Sequence, residues 1–149
     1  NQLIGPNGRD GNWGYLAGGR FAVADDEAVL VTLDPAGSYY TGFQITDPWT
    51  IAPDPMLRLA SLNKSQCVLN SDGTVTYAIA LADPGIANWI DTCGLHDGWM
   101  LTRWQGVPAD AAMEPLIREV RLVKLDAIPV FVLSPSVRTS NSLVADTPQ

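Results

Sequence analysis

The chain has very few of the residues from which metal centres and catalytic groups are usually assembled. Its 149 residues include one histidine and two cysteines. Neither cysteine belongs to a Cys-x-x-Cys pair, and one histidine with two separate cysteines cannot supply a zinc site. The run DTCGLHDG also lacks the spaced acidic positions of a calcium-binding loop. We therefore predict no metal and no cofactor.

Basic residues are scarce as well. Nine lysines and arginines stand against sixteen acidic residues, which gives a net charge of −7, and no basic cluster occurs. Because a nucleic-acid surface has to neutralise phosphates, we predict no nucleic-acid partner. No apolar run reaches the about 18 residues of a membrane helix, so we predict no membrane partner and a soluble protein. The first residue is not methionine and no signal segment follows it, so we expect a piece of a longer protein.

The two cysteines, Cys67 and Cys93, are predicted to be buried or half-buried free thiols, since small thiols commonly pack as apolar groups. A disulfide is the alternative interpretation, and it would require Cα atoms within about 7 Å of each other.

The residues that are abundant indicate short strands. Apolar residues make up 46% of the chain and charged residues 17%, with thirteen glycines and eleven prolines. Alternating or β-branched runs predict strands, and the Asp72-Gly73 pair between two such runs predicts a hairpin. The predicted strands are residues 20–24, 28–33, 39–45, 64–70, 74–82, 98–104, 118–125 and 130–133. The segment at 118–125 also fits a helix, but its β-branched content favours a strand.

These patterns predict an all-β protein, a jelly-roll-like antiparallel β-sandwich of about eight short strands with little helix. We expect an irregular N-terminal arm over residues 1–19, where glycine and proline are frequent, and the sandwich over 20–134. Residues 135–149 lack any pattern and are predicted to be a mobile tail.

The stretch DPGIANWIDTCGLHDGWMLTRW, residues 83–104, contains the histidine and the densest group of polar and aromatic residues. His96 and Asp91 are candidate acid–base residues, and Arg103 is a candidate for holding an anion. A nucleophilic set of Cys93, His96 and Asp91 is a weaker hypothesis, because sequence neighbours in one loop rarely have triad geometry. The candidate ligand-binding residues are Asn88, Trp89, Trp99 and Asp97.

A structural interpretation of the same stretch stays open. Arg103 lies on a largely apolar strand, and Asp91 or Asp97 could pair with it to clamp a long loop. Trp99 and Trp104 are separated by an odd number of residues, so only one of them is expected to face the core.

Four segments resemble one bacterial family. They are DDEAVLVTLDPAGSYYTGFQITDPW, SLNKSQ, SDGTVTYAIALADPGIANWIDTCGLHDGWMLTRWQG and VRLVKLDAIP, and together they span most of residues 14–129. They are similar to the family known as domain of unknown function 1214. The matching positions of its Asn-Trp-x-Asp-Thr run are Asn88, Trp89, Asp91, Thr92, His96, Gly98, Arg103 and Trp104, whereas the position of Cys93 varies.

The resemblance implies a jelly-roll domain at the C-terminal end of a longer bacterial protein, after a second jelly-roll domain. The expected location is therefore the bacterial cytoplasm or periplasm. It implies no activity, and a carbohydrate-related role follows from fold analogy alone. The first hypothesis is therefore a non-catalytic domain that packs on an N-terminal partner domain and binds a small polar ligand such as a saccharide. The alternatives are a hydrolase acting on a polar or carbohydrate substrate, and a structural module that forms homo-oligomers.

Overall fold

A computed structural model describes residues 1–8, 13–111 and 115–128 of the chain. Over these residues nine strands form two sheets, and the regular helix described is one 3-10 turn at Leu125–Ala127. The predicted all-β sandwich is therefore confirmed. The strands are β1 Ile4–Gly8, β2 Tyr15–Ala22, β3 Glu27–Leu33, β4 Tyr40–Thr46, β5 Ser61–Asn63, β6 Val75–Ala80, β7 Trp89–Asp91, β8 Asp97–Gln105 and β9 Ile117–Lys124.

The two sheets contain five and four strands. Their orders are β1-β2-β8-β4-β5 and β7-β6-β3-β9. Every described pairing is antiparallel except that of β6 with β7. Strand β8 lies between β2 and β4, so its outward side chains stand at the centre of the outer face of the five-stranded sheet.

The core lies between the two sheets and follows the period-two pattern of the sequence. Phe43 of β4 and Tyr77 of β6 stack across it, with ring centroids 4.6 Å apart. Trp104 of β8 is fully buried, and its indole N–H donates to the carbonyl of Asp34 at 2.8 Å. Burying one such large side chain contributes roughly 1.5–3 kcal/mol, so these residues hold the sheets together.

Five predicted strands are confirmed with small differences at their ends: those at 28–33, 39–45, 74–82, 98–104 and 118–125. Tyr39 is the main exception, because it precedes β4 and is 90% exposed. As expected, Trp104 faces the core and Trp99 of the same strand does not.

The expectation of an irregular arm at residues 1–19 was wrong, because β1 and most of β2 lie there. The many glycines of this segment predict a loop, but both glycines of β2 are needed for packing. A Cβ at Gly19 would overlap the carbonyl oxygen of Gln2, and a Cβ at Gly18 would lie 3.1 Å from Leu101. Glycine in a strand commonly marks such a close approach of another segment.

The predicted strand at 64–70 was also wrong. The Asp72-Gly73 turn forms, with the Asn70 N–H donating to the Thr74 carbonyl at 2.8 Å. Residues 64–70, however, do not pair as a strand with β6, whose described partners are β3 and β7. The predicted strand at 130–133 and the tail at 135–149 lie outside the described residues.

The buried indole of Trp104 yields a stability prediction. Changing Trp104 to Phe leaves a cavity and an unpaired Asp34 carbonyl, so the free energy of unfolding should fall by about 2–4 kcal/mol. Changing Trp49 to Phe, at a residue that is 82% exposed, should change it by less than about 0.5 kcal/mol. Urea unfolding followed by circular dichroism measures both, and equal losses would contradict the placement of Trp104.

Candidate functional site

The stretch at residues 83–104 passes from one sheet to the other. It includes β7 at the edge of the four-stranded sheet, a tight turn, and β8 at the centre of the five-stranded sheet. Asp91 ends β7, whereas Arg103 lies near the end of β8 on the outer face of the other sheet. Among the described residues, no hydrogen bond or ion pair joins any two of His96, Asp91 and Arg103.

Asp91 is the most buried charged residue of the stretch, with a side chain that is 10% exposed. One carboxylate oxygen accepts the Cys93 N–H at 2.7 Å, and the other lies 3.2 Å from a guanidinium nitrogen of Arg58. The Asp91 N–H donates to the Leu59 carbonyl at 2.9 Å. Both carboxylate oxygens are thus engaged in holding the loop before β5 and the turn after β7.

The turn after Asp91 has a backbone that constrains Cys93. Cys93 and Gly94 both have positive φ, 59° and 82°, and the Leu95 N–H donates to the Thr92 carbonyl at 3.0 Å. Two central residues with positive φ are typical of a type I′ turn. A non-glycine residue is uncommon there, and the Asp91 carboxylate bonded to the Cys93 N–H stabilises that conformation.

Asn88 has a positive φ of 60°, which asparagine tolerates better than most residues. Its carboxamide accepts the Val68 N–H at 2.8 Å and donates to the carbonyls of Val68 and Thr76 at 2.8 and 3.0 Å. The side chain thus fastens the segment before the Asp72-Gly73 turn to β6. Its polar groups have protein partners, so they are not presented to a ligand.

Trp89 is half-buried over the outer face of the four-stranded sheet. Its indole N–H donates to the Ala80 carbonyl at 3.0 Å, and its ring packs against the small cluster of Ala28, Ala80 and Ile128.

His96 lies at the entrance to β8, and its side chain is 59% exposed. Its Nδ1 is 3.1 Å from the Val23 carbonyl, and its backbone carbonyl accepts the Val23 N–H at 2.8 Å. The carboxylate near its Nε2 is that of Asp25, at 3.6 Å, and not that of Asp91. The histidine therefore contacts the turn between β2 and β3.

Asp97 and Trp99 share a neighbour on β2. Asp97 forms an ion pair with Arg20, and the Arg20 guanidinium stands 5.2 Å from the ring centroid of Trp99. The Trp99 indole N–H donates to the Pro48 carbonyl at 3.2 Å. Trp99 therefore connects β8 to the loop between β4 and β5.

Arg103 does not pair with Asp91 or Asp97, so the prediction that Arg103 is the basic partner in a clamp was wrong. Those two aspartates pair instead with Arg58 and Arg20. The reason is the alternation of β8, which directs Arg103 to the outer face of the sheet, opposite Leu16 and Gly42. Among the described residues, Arg103 forms no ion pair.

Sequence reasoning missed the loop at residues 47–60, between β4 and β5, which we call the β4–β5 loop. It displays four large apolar side chains that are mostly exposed, Trp49, Ile51, Met56 and Leu57, at 82%, 66%, 87% and 78%, and a fifth, Leu59, that is 44% exposed. Arg58, which reaches Asp91, was also missed. A signal existed, since Arg58 is the one basic residue between Arg20 and Lys64, in a run of prolines and apolar residues.

Neither cysteine has the setting of a nucleophile. Both are free thiols, as predicted, and both are half-buried. Burial raises the pKa of the Cys67 thiol. Burial also raises the pKa of the Cys93 thiol, and the charge of Asp91 raises it further. Since the thiolate is the reactive form, both shifts lower reactivity at neutral pH.

Among residues 1–8, 13–111 and 115–128, no group of three or more metal-ligating side chains comes together. No helix in that part of the chain is long and apolar enough to cross a membrane.

The fold is that of a β-sandwich domain. Most of the polar residues of the stretch at 83–104 bond to other parts of the protein. No protein-family model matches the chain, and no curated protein matches it. Among solved structures, the chain is similar to an uncharacterized protein from Burkholderia cenocepacia, with 32% identity and a TM-score of 0.67. The similarity covers 76% of this chain and 30% of that one. The chain thus spans about three tenths of that protein's length and corresponds to a part of a larger protein.

The contacts of Asp91 yield a second stability prediction. Changing Asp91 to Ala removes the Arg58 pair and leaves the Cys93 N–H without its acceptor, so unfolding should become easier by about 1–3 kcal/mol. Changing Asp91 to Asn keeps an oxygen for the Cys93 N–H and should cost less. Urea unfolding of both variants and of Arg58→Gln measures this, and an alanine variant as stable as the parent would sink the anchoring role.

The raised thiol pKa values predict slow reaction with a thiol reagent. At pH 7.5, Cys67→Ser and Cys93→Ser proteins, each with one remaining thiol, should react with dithionitrobenzoate more slowly when folded than in urea. The folded rates should still be rising at a pH where the rates in urea have levelled off. A Cys93 thiol that reacts faster in the folded protein than in urea would contradict this prediction and support a nucleophilic role.

Proposed function

We propose that the chain is a non-catalytic β-sandwich domain of a larger bacterial protein, related to domain of unknown function 1214. In this proposal it packs on another domain of the same polypeptide through the β4–β5 loop. The observation that carries the proposal is that this loop exposes four large apolar side chains while its backbone is firmly held.

Large exposed apolar side chains gathered on one segment are typical of an interaction surface, whereas single ones are common and carry no meaning. Tryptophan and methionine are also enriched at the centres of protein interfaces. The β4–β5 loop has both, at Trp49 and Met56, each more than 80% exposed. Leaving such residues in water forgoes the free energy that burial in an interface would supply.

Hydrogen bonds hold the backbone of the loop at both of its ends. At the first, the Asp47 carboxylate accepts the N–H groups of Trp49 and Ile51 at 2.9 and 2.8 Å. At the second, Asp54 accepts the Met56 N–H at 2.9 Å, and the Arg58–Asp91 pair ties the loop to β7. A surface that is ordered before it meets its partner loses less conformational entropy on binding.

The occupant proposed for this surface is another domain of the same polypeptide. The similar Burkholderia protein has about seven tenths of its length outside the matched part, since the match covers 30% of it. A domain in such a chain has neighbours at high effective concentration, so an apolar loop is covered without a separate partner. A second copy of the domain, as in an oligomerisation module, is the competing occupant.

None of the contacts between the described residues favours the hydrolase alternative. Its proposed acid and base, His96 and Asp91, hydrogen-bond to Val23 and Cys93, and no described hydrogen bond connects the two side chains. A general base has to lie within hydrogen-bond reach of the group that it serves, directly or through a water.

Hydroxyl-radical footprinting tests the proposal, because tryptophan, methionine and tyrosine side chains react according to their exposure. The 149-residue chain and the intact polypeptide that carries it are labelled in parallel. Trp49 and Met56 should be protected several-fold in the intact polypeptide. Tyr39 is 90% exposed and lies outside the loop, so its unchanged labelling serves as the internal control.

Equal labelling of the loop in both proteins would overturn the proposal. Sedimentation of the 149-residue chain tests the competing occupant. Self-association that disappears in a Trp49→Ser, Met56→Ser variant would identify a second copy as the partner and refute packing on a domain of the same chain.

A further inference from the structure

The outer face of the five-stranded sheet has a polar cleft of about 280 Å³ over β8, β4 and β5. Its polar walls are formed by Arg103, Tyr40, Gln44, Ser61, Asn63 and Gln66. None of the residues that line it belongs to the β4–β5 loop that carries the packing proposal. We propose that this cleft binds a small hydroxylated carboxylate, such as a sugar acid, with Arg103 contacting the carboxylate.

The cleft surrounds a glycine that stands between two long side chains. In the sheet register Arg103 of β8 is opposite Gly42 of β4, and Gly42 is opposite Asn63 of β5. Neighbouring strands are about 4.8 Å apart, so Arg103 and Asn63 start about 10 Å apart, and the residue between them has no side chain of its own. The phenol of Tyr40 lies over the same glycine, since a Cβ at residue 42 would overlap its hydroxyl group.

The charge of Arg103 is not neutralised by the described part of the protein. The other four described arginines, Arg20, Arg58, Arg118 and Arg121, each pair with a carboxylate. Arg103 pairs with none of the described carboxylates, and no aspartate or glutamate lines the cleft. In a chain of net charge −7, a guanidinium left in a cleft without acidic neighbours favours an anionic ligand.

The two amides in the cleft are oriented so that they donate. The side-chain oxygen of Asn63 accepts the Ser65 N–H at 2.9 Å, and that of Gln66 accepts the Asn63 N–H at 3.0 Å. Their NH₂ groups have no acceptor among the described residues. Together with the guanidinium and the Tyr40 hydroxyl, they make the cleft rich in donors, and a ligand rich in acceptor oxygens complements it.

The size and chemistry of the cleft narrow the ligand class. A volume of about 280 Å³ is near the lower limit of small-molecule sites, so it suits one sugar ring or a short hydroxy acid. A planar guanidinium binds a carboxylate through two parallel hydrogen bonds. Gln44 and Ser61 supply neutral groups for the hydroxyls of the same ligand.

The test is a titration of ¹⁵N-labelled protein with D-glucuronate, D-glycerate and L-malate, and with D-glucose as the neutral match of glucuronate. At least one acid should shift the Nε resonance of Arg103 and the side-chain amides of Asn63 and Gln66. Arg103→Gln should weaken that binding about tenfold or more, because it removes a charge-assisted pair. Arg121→Gln, on the other sheet, is the matched control and should bind as the parent does.

Three results would overturn the proposal. They are no shift with any of the three acids, equal shifts with glucose and glucuronate, and binding that Arg103→Gln leaves intact. Arg103 is exposed on its strand, so the variant should fold, which circular dichroism verifies. None of these results depends on whether the β4–β5 loop packs on another domain.

Discussion

Because the Asp91 side chain is only 10% exposed, its carboxylate has to be satisfied by protein groups, and two groups do so. They are the guanidinium of Arg58 before β5 and the Cys93 N–H in the turn after β7, while the backbone N–H of Asp91 donates to the carbonyl of Leu59. One buried acid thereby fixes the end of β7, the approach to β8 and the base of the β4–β5 loop. The shape of the proposed docking loop depends on that acid.

The aspartates of this chain largely serve its turns. In seven places a side-chain oxygen accepts the N–H two residues further on, and the residues that do so are Asp34, Asp47, Asp54, Asn63, Asp72, Asp83 and Asp91. Such local bonds let short strands follow one another through tight connections. The group of acidic residues that looks catalytic in the sequence therefore also has a structural use, because it stabilises the turns between the described strands.

The sequence predicted the strands, which depend on local residue patterns, but few of the contacts between residues far apart in the chain. Alternating or β-branched runs located β3, β4, β8 and β9, and alternation placed Trp99 and Trp104 on opposite faces. It could not predict that Gly18 and Gly19 face neighbouring segments, so β2 looked irregular. Nor could it tell that Asp91 meets Arg58, 33 residues earlier, since any of several arginines was equally suitable. The candidates His96, Asp91 and Arg103 were close in sequence and lie in different surroundings in the fold.

The strand order also determines how this domain behaves beside other copies of itself. The four outermost strands are β1, β5, β7 and β9. Two of them have three residues each, β1 contains Pro6, and β9 carries Arg118, Glu119, Arg121 and Lys124. Short, proline-bearing or charged borders give a foreign strand little to pair with. Two copies of the domain that meet at these edges therefore gain little by joining their sheets, which leaves loops and faces for specific contacts.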